Sequence, residues 1–165
     1  MQAIRRSYCF LLCTGIFISG LILSLGYLLS EGAAWSIIIS SVNGSAWELT
    51  KPFIIILIFS AFLDLSCLRP SLLRYVSDKL ISIGIFTLLS LTGLRLLNIC
   101  FSGTLTFPPE LIRYPYIFIC ICISQLVLYT LYNRAVRTEL FFMPLLTGLA
   151  VLLGFILFRT AIVCY

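Results

Sequence analysis

The chain has 165 residues, of which 61% are hydrophobic and only 10% are charged. A soluble domain carries roughly a quarter of its residues as charged side chains, so this composition excludes a water-facing globule. The mean hydropathy of +1.15 agrees with that exclusion. We therefore expect a single integral membrane domain over 1–165, built as an all-α polytopic bundle of transmembrane helices.

The net charge of +5 and the absence of histidine limit the function further. Basic residues of membrane proteins collect in cytoplasmic loops, and we favour that explanation of the charge over nucleic-acid binding. Without histidine the chain lacks the commonest metal ligand and the commonest general base at neutral pH. The seven cysteines form no CxxC pair, and we expect them to pack as small hydrophobic residues. No metal, cofactor or nucleic-acid partner is expected.

The first apolar segment covers about 8–30 and follows a basic pair. It is longer than the apolar core of a secretory signal, which is about 7–15 residues, so we interpret it as a retained span. Two small-xxx-small pairs lie within it, Gly15/Ser19 and Gly20/Ser24. Such pairs let helices approach closely, and we favour packing within the monomer over dimerisation.

A long connection, 31–51, follows the first segment and contains both tryptophans, Trp35 and Trp47. The tryptophan ring is apolar whereas its N–H needs a polar partner, which places this residue type at the membrane interface. We expect this connection to lie on the outer surface, with Trp35 and Trp47 as interfacial anchors.

Further apolar segments have lengths near the roughly 17–25 residues that span a bilayer. They cover about 52–68, 80–101, 115–132 and 140–158. Proline begins the segments at 52 and 115, where its missing N–H is not needed. The prediction is about five spans, or four if one segment is only interfacial. The segment 52–68 is the shortest and carries a charge, so it is the candidate for partial insertion.

The orientation follows from the basic residues between the segments. With the N-terminus in the cytoplasm, most of them lie inside, as the positive-inside rule requires. The inside group is Arg5, Arg6, Arg69, Arg74, Lys79, Arg134 and Arg137, and the outside group is Lys51, Arg113 and Arg159. Short loops and modest charge are typical of a bacterial inner (cytoplasmic) membrane protein.

Polar side chains inside the predicted spans are the candidate functional residues, because intramembrane charges are costly and often functional. Asp64 lies in the second span and Arg95 in the third. Arg95 and Asn98 share a helical face, and Gln125 lies in the fourth span. We call Asp64, Arg95, Asn98 and Gln125 the polar seam and expect it to face the interior of the bundle.

The depths of these residues leave two arrangements open. At about 1.5 Å per residue, Asp64 and Arg95 are roughly 13 Å apart along the membrane normal, so a direct bridge is not expected. Gln125 at mid-depth allows a polar ladder between them. Alternatively, Asp64 pairs with Arg134 or Lys79 near one surface, and Arg95 extends toward the other.

The functional classes differ in what they need. An enzyme requires convergent reactive groups. We expect Asp64 to be the one buried carboxylate and find no phosphate-binding motif, so we do not expect an enzyme. The first hypothesis is a non-catalytic accessory, assembly or immunity/exclusion protein that acts through helix–helix contacts in the bilayer. Its expected partners are the lipid bilayer and other membrane-protein subunits or a second copy. The alternative is a small transporter or channel subunit that uses the polar seam.

Overall fold

The helices of the chain follow one another as α1 (Arg6–Ser24), α2 (Gly26–Leu29), α3 (Ala46–Leu68), α4 (Leu72–Phe101) and α5 (Glu110–Arg134). The computed structural model describes residues 6–30, 39–41, 45–68, 72–101 and 110–134, and all regular structure in these ranges is α-helical. The all-α prediction is confirmed for them. Trp35 and the predicted segment 140–158 lie outside the described residues.

Helices α3, α4 and α5 have the length and composition of membrane spans. Within α1 the apolar stretch is shorter, Tyr8–Ser24. The N–H of Leu25 bonds the carbonyl of Leu21 at 3.2 Å, so the helical pattern continues from α1 toward α2. A helical membrane bundle is therefore supported, and the total of about five spans stays a prediction. Among the described residues, the stretches long and apolar enough to cross a membrane are Ala46–Leu65, Arg74–Cys100 and Ile112–Asn133.

Helix α3 begins before the proline that was predicted to start it. The N–H of Glu48 donates to Ser45 Oγ at 3.3 Å, which is the first half of a Ser-x-x-Glu capping box. Pro52 lies inside the helix, and Pro115 lies inside α5 in the same way. The predicted starts at 52 and 115 are wrong, because losing one helical hydrogen bond does not end a helix within a packed bundle.

Because α3 begins at Ala46, Trp47 belongs to this helix and not to the predicted surface connection. This residue lies in the first turn of α3 and is only 8% exposed. Helix α4 likewise begins earlier than the predicted residue 80. Lys79 was assigned to an inner loop but is buried within α4. Charged and aromatic residues near the ends of these helices therefore extend the bundle instead of forming loops.

The long helices form an antiparallel ring. Helix α1 packs against α3 and α5, and α4 packs against the same two helices. Tyr8 at the start of α1 contacts Asp64 near the end of α3, and Asn98 near the end of α4 contacts Arg113 near the start of α5. The four long helices described here thus run up, down, up and down, which is one of the topologies of four-helix bundles.

Aromatic rings fill the middle of the ring of helices. Phe17 stacks on Phe53 with ring centroids 6.0 Å apart and meets Phe118 edge-on at 5.0 Å. A β-carbon on Gly20 would overlap the ring of Phe53, whereas one on Gly15 would meet open space. Packing within the monomer is therefore supported for Gly20 and not for Gly15.

The outer surface of the bundle is apolar. Large side chains such as Phe10, Leu88 and Ile99 are 67%, 67% and 72% exposed. Serine, lysine, aspartate and glutamine side chains lie inside instead, including Ser60, Ser82 and Gln125. This distribution suits lipid as the surrounding solvent, because lipid has no hydrogen-bonding groups to offer in its hydrocarbon core.

Alanine substitutions of two glycines of α1 test the contact of this helix with α3. Gly20→Ala should destabilise the bundle by about 1–3 kcal/mol, because the added methyl group overpacks the core against Phe53. Gly15→Ala is the matched control and should be neutral or stabilising by up to about 1 kcal/mol, because alanine favours the helix. Unfolding in mixed micelles measures both; equal destabilisation by the two variants would contradict the described α1–α3 contact.

A buried polar cluster at one end of the bundle

The carboxylate of Asp64 collects hydrogen bonds from two neighbouring helices. The side chain is buried, with the residue 1% exposed. Tyr8 Oη of α1 donates to Asp64 Oδ1 at 2.7 Å, and Tyr75 Oη of α4 donates to Oδ2. Lys79 Nζ of α4 forms an ion pair with Oδ2 at 3.1 Å. Donors from α1 and α4 thus stabilise the negative charge of Asp64, which belongs to α3.

The ammonium group of Lys79 has a second partner on α3. Its Nζ donates to Ser60 Oγ at 2.8 Å, and Ser60 Oγ donates to the carbonyl of Leu57 at 2.8 Å. Ser60 and Asp64 are one turn apart on the same helical face, so both can reach Lys79. We call Tyr8, Ser60, Asp64, Tyr75 and Lys79 the Asp64 cluster.

A small cavity lies beside this cluster, on the side of α5. Its volume is about 10 Å³, and Tyr8, Asp64, Tyr75 and Gln125 contribute to its wall together with apolar side chains. Gln125 is 1% exposed, and its Nε2 has no hydrogen-bond partner among the described residues. We call this cavity the chamber; it brings two members of the polar seam, Asp64 and Gln125, to one place.

The other two members of the polar seam lie elsewhere. Arg95 is exposed and lies roughly 24 Å from Lys79 along α4, at 1.5 Å per residue. Asn98 Oδ1 accepts a hydrogen bond from Arg113 Nη2 at 2.8 Å. The expected inward position of Arg95 is wrong, because Leu94 takes the inward position at 0% exposure and adjacent residues differ by 100° around a helix.

Local pairing, the second sequence-based alternative, is confirmed for Asp64 and Lys79. At the opposite end of α3, Lys51 Nζ pairs with Glu48 Oε2 at 2.8 Å. Sequence reasoning missed the contributions of Tyr8 and Tyr75. A usable signal existed for one of them, because Tyr75 and Lys79 are four residues apart and share a face of α4. The expectation that Asp64 is the one buried carboxylate is also wrong, because Asp78 and Glu48 are 0% and 8% exposed.

Basic residues lie at both ends of the bundle. Arg74 lies at the end that contains the Asp64 cluster, and its Nη2 donates to the carbonyl of Tyr132 at 3.0 Å. A cation near the last carbonyls of a helix is favourable, because those carbonyls carry the negative end of the helix dipole. Lys51 and Arg113 lie at the opposite end. This division matches the grouping of the same residues on which the predicted orientation rests.

Two further observations bear on the function of the Asp64 cluster. In the described ranges, no group of three or more His, Cys, Asp and Glu side chains is placed to hold a metal ion. Comparisons of the chain with protein-family models, curated proteins and solved structures find no match.

The buried ion pair generates a prediction on stability. Asp64→Asn or Lys79→Met alone should each destabilise by about 3–5 kcal/mol, because each leaves an uncompensated buried partner. The double variant should lose less than the sum of the two, since no unpaired charge remains. Arg95→Gln is the control and should change stability by less than about 0.5 kcal/mol, as exposed substitutions do. Additive single effects in reversible unfolding would contradict the Asp64–Lys79 contact.

Proposed function

We propose that this chain is a non-catalytic multi-pass protein of the bacterial inner (cytoplasmic) membrane that acts through helix–helix contacts in the plane of the bilayer. Accessory, assembly and immunity or exclusion proteins work in this way. The observation that carries the proposal is the inverted distribution of polarity. Charged and hydroxyl side chains such as Ser60, Asp64 and Lys79 are buried inside the bundle and bind there, whereas many large apolar side chains are exposed on its outer surface.

The Asp64 cluster supports this proposal because its groups face one another. Asp64 accepts from Tyr8, Tyr75 and Lys79, so its charge is compensated within the chain. Interhelical hydrogen bonds in membranes contribute about 0.6–2 kcal/mol each. The cluster therefore fixes the positions of α1, α3 and α4 relative to one another, which is what a protein recognised by the shape of its helices needs.

A groove between α1 and α3 is the candidate contact surface. It has a volume of about 490 Å³ and is lined by Gly15, Ser19, Phe59 and Leu63, among others. A β-carbon on Gly15 would meet open space, so the backbone of α1 is accessible there. Small residues four apart let a second helix approach closely. We assign this groove to a helix of another membrane subunit, with a second copy of the chain as the alternative occupant.

The orientation is part of the proposal. The end of the bundle that carries the Asp64 cluster also carries Arg74, and it contains the start of α1. The positive-inside rule places such an end at the cytoplasmic surface, with the N-terminus cytoplasmic. Lys51 and Arg113 then lie toward the outer surface.

Co-purification with a matched pair of glycine variants tests the contact surface. The wild-type chain, extracted in mild detergent, should carry a partner subunit or a second copy at a fixed ratio, identified by mass. Gly15→Leu fills the groove and should reduce the retained partner at least about tenfold, equivalent to about 1.4 kcal/mol of binding free energy.

Gly84→Leu is the control, because Gly84 is also an exposed helical glycine whose β-carbon would meet open space, but it lies outside the groove. It should leave the partner in place. A wild-type chain that purifies as a bare monomer, or equal loss of the partner in both variants, contradicts the proposal.

A second candidate function is a small transporter or channel subunit. The observation that favours it is the chamber, where the unpartnered amide nitrogen of Gln125 and the carboxylate of Asp64 share a cavity inside the bundle. Intramembrane ionisable residues mark ion and proton pathways in many membrane proteins. In this candidate Asp64 and Gln125 form the polar path, and Arg95 and Asn98 lie apart from it.

Flux measurements separate the two candidates. If the chain conducts protons or a small solute, Asp64→Asn in reconstituted vesicles should abolish the flux, because the charge on the path is removed. Arg95→Gln should leave the flux unchanged, since Arg95 is exposed and distant from the chamber. The comparison is made at equal amounts of inserted protein. Unchanged flux with Asp64→Asn, together with reduced protein levels in cells, rejects a transport path through Asp64 and leaves its structural role; no flux from the wild-type chain above that of protein-free vesicles rejects transport.

A further inference from the structure

We infer that the chamber beside Asp64 is a binding site for a single water molecule, which links α5 to the Asp64 cluster. Neither candidate function is needed for this inference, because it follows from the donors, acceptors and size of the chamber. The ligand must accept a hydrogen bond on one side and donate one on the other.

The donor side of the chamber is Gln125. The residue is only 1% exposed, and its buried amide nitrogen has no hydrogen-bond partner among the described residues. A glutamine amide group carries two N–H donors. Buried donors in folded proteins are almost always paired with a protein group or an ordered water. The chamber must therefore contain an acceptor for Gln125 Nε2.

The acceptor side of the chamber is Asp64. Its Oδ1 accepts one hydrogen bond in the described structure, from Tyr8, whereas Oδ2 accepts from Tyr75 and Lys79. Each carboxylate oxygen has two lone pairs, so Oδ1 retains capacity for one further donor. A ligand between Gln125 and Asp64 can thus accept from the amide and donate to the carboxylate, as a water molecule does.

The size of the chamber restricts the ligand to water. Its volume is about 10 Å³, which is near the smallest space that holds one water molecule. A hydrated ion or an organic solute needs several times that space. A buried water also requires two to four polar neighbours, and Tyr8, Asp64, Tyr75 and Gln125 all line the chamber.

The position of this water has a structural consequence. Hydrogen bonds of the Asp64 cluster join α1, α3 and α4, and a water bound to Gln125 extends the same network to α5. Tyr8 lines both the chamber and the open groove between α1 and α3. Its side chain is therefore a wall that the chamber and the groove share.

Nuclear magnetic resonance on the intact chain tests the site directly. The glutamines of the sequence are Gln2 and Gln125, so labelling glutamine side chains with ¹⁵N gives a simple spectrum. A Gln2→Ala variant identifies the signal of Gln125. In deuterated detergent, the Gln125 amide should show a cross-relaxation peak to a long-lived water. Absence of that peak overturns the inference.

The sign of a stability change provides a second, independent measurement. Gln125→Met keeps the length of the side chain and removes its donors. If the water is bound, this variant breaks the bridge and should lower the thermal midpoint. If the chamber is dry, the same variant removes an unpartnered buried donor, and the midpoint should stay or rise. A stable or raised midpoint therefore also overturns the inference, whatever the outcome of the transport and partner experiments.

Discussion

A carboxylate buried within a helical bundle must receive its hydrogen bonds from the neighbouring helices, and Asp64 imposes this requirement on the chain. Removing a charge from water costs several kcal/mol, and only close, well-oriented partners offset that cost. Tyr8, Tyr75 and Lys79 supply them at contact distance. Because these residues belong to α1 and α4, satisfying Asp64 fixes the rotation and the depth of both helices against α3.

The rest of the bundle follows a principle that differs from that of soluble proteins. Inside a membrane the hydrophobic effect does not draw helices together, since lipid is as apolar as leucine. Close packing and hydrogen bonds take its place. Phe53 fills the space that Gly20 leaves open, and Ser82 Oγ donates to the carbonyl of Ser124 at 2.7 Å. Such contacts position the aromatic layer and the polar cluster without any need for an apolar interior distinct from the exterior.

The two candidate functions use different parts of this architecture. Helix-mediated association needs a rigid bundle with an accessible backbone, and the groove at Gly15 offers one. Transport needs a polar interior that exchanges with the surroundings, and the chamber beside Gln125 is its starting point. The Asp64 cluster serves both, because a network that holds helices in register also determines which polar groups line the cavity. The side chain of Tyr8 lines both the groove and the chamber.

Composition and segment length alone determined that the chain is a helical membrane protein, because few charges and long apolar stretches are incompatible with a water-facing fold. Sequence also predicted that Asp64 can pair with Lys79. The sequence predicted the starts of the helices less well. Apolar segments mark where lipid contact is possible, whereas Lys79 and Trp47 lie in helices outside those segments, where neighbouring residues bury them. Ser45 and Glu48 held the missing signal for α3 in their capping pattern.

Only the tertiary structure decided which members of the polar seam meet. Gln125 reaches the chamber with Asp64, whereas Arg95 is exposed. The face that Arg95 shares with Asn98 on α4 predicts the opposite for Arg95. Which face of a membrane helix turns inward depends on the helices that pack against it. The sequence of α4 alone therefore does not predict that Leu94, and not Arg95, faces the interior. The physical reason is that packing and buried hydrogen bonds, which are properties of pairs of helices, set that rotation.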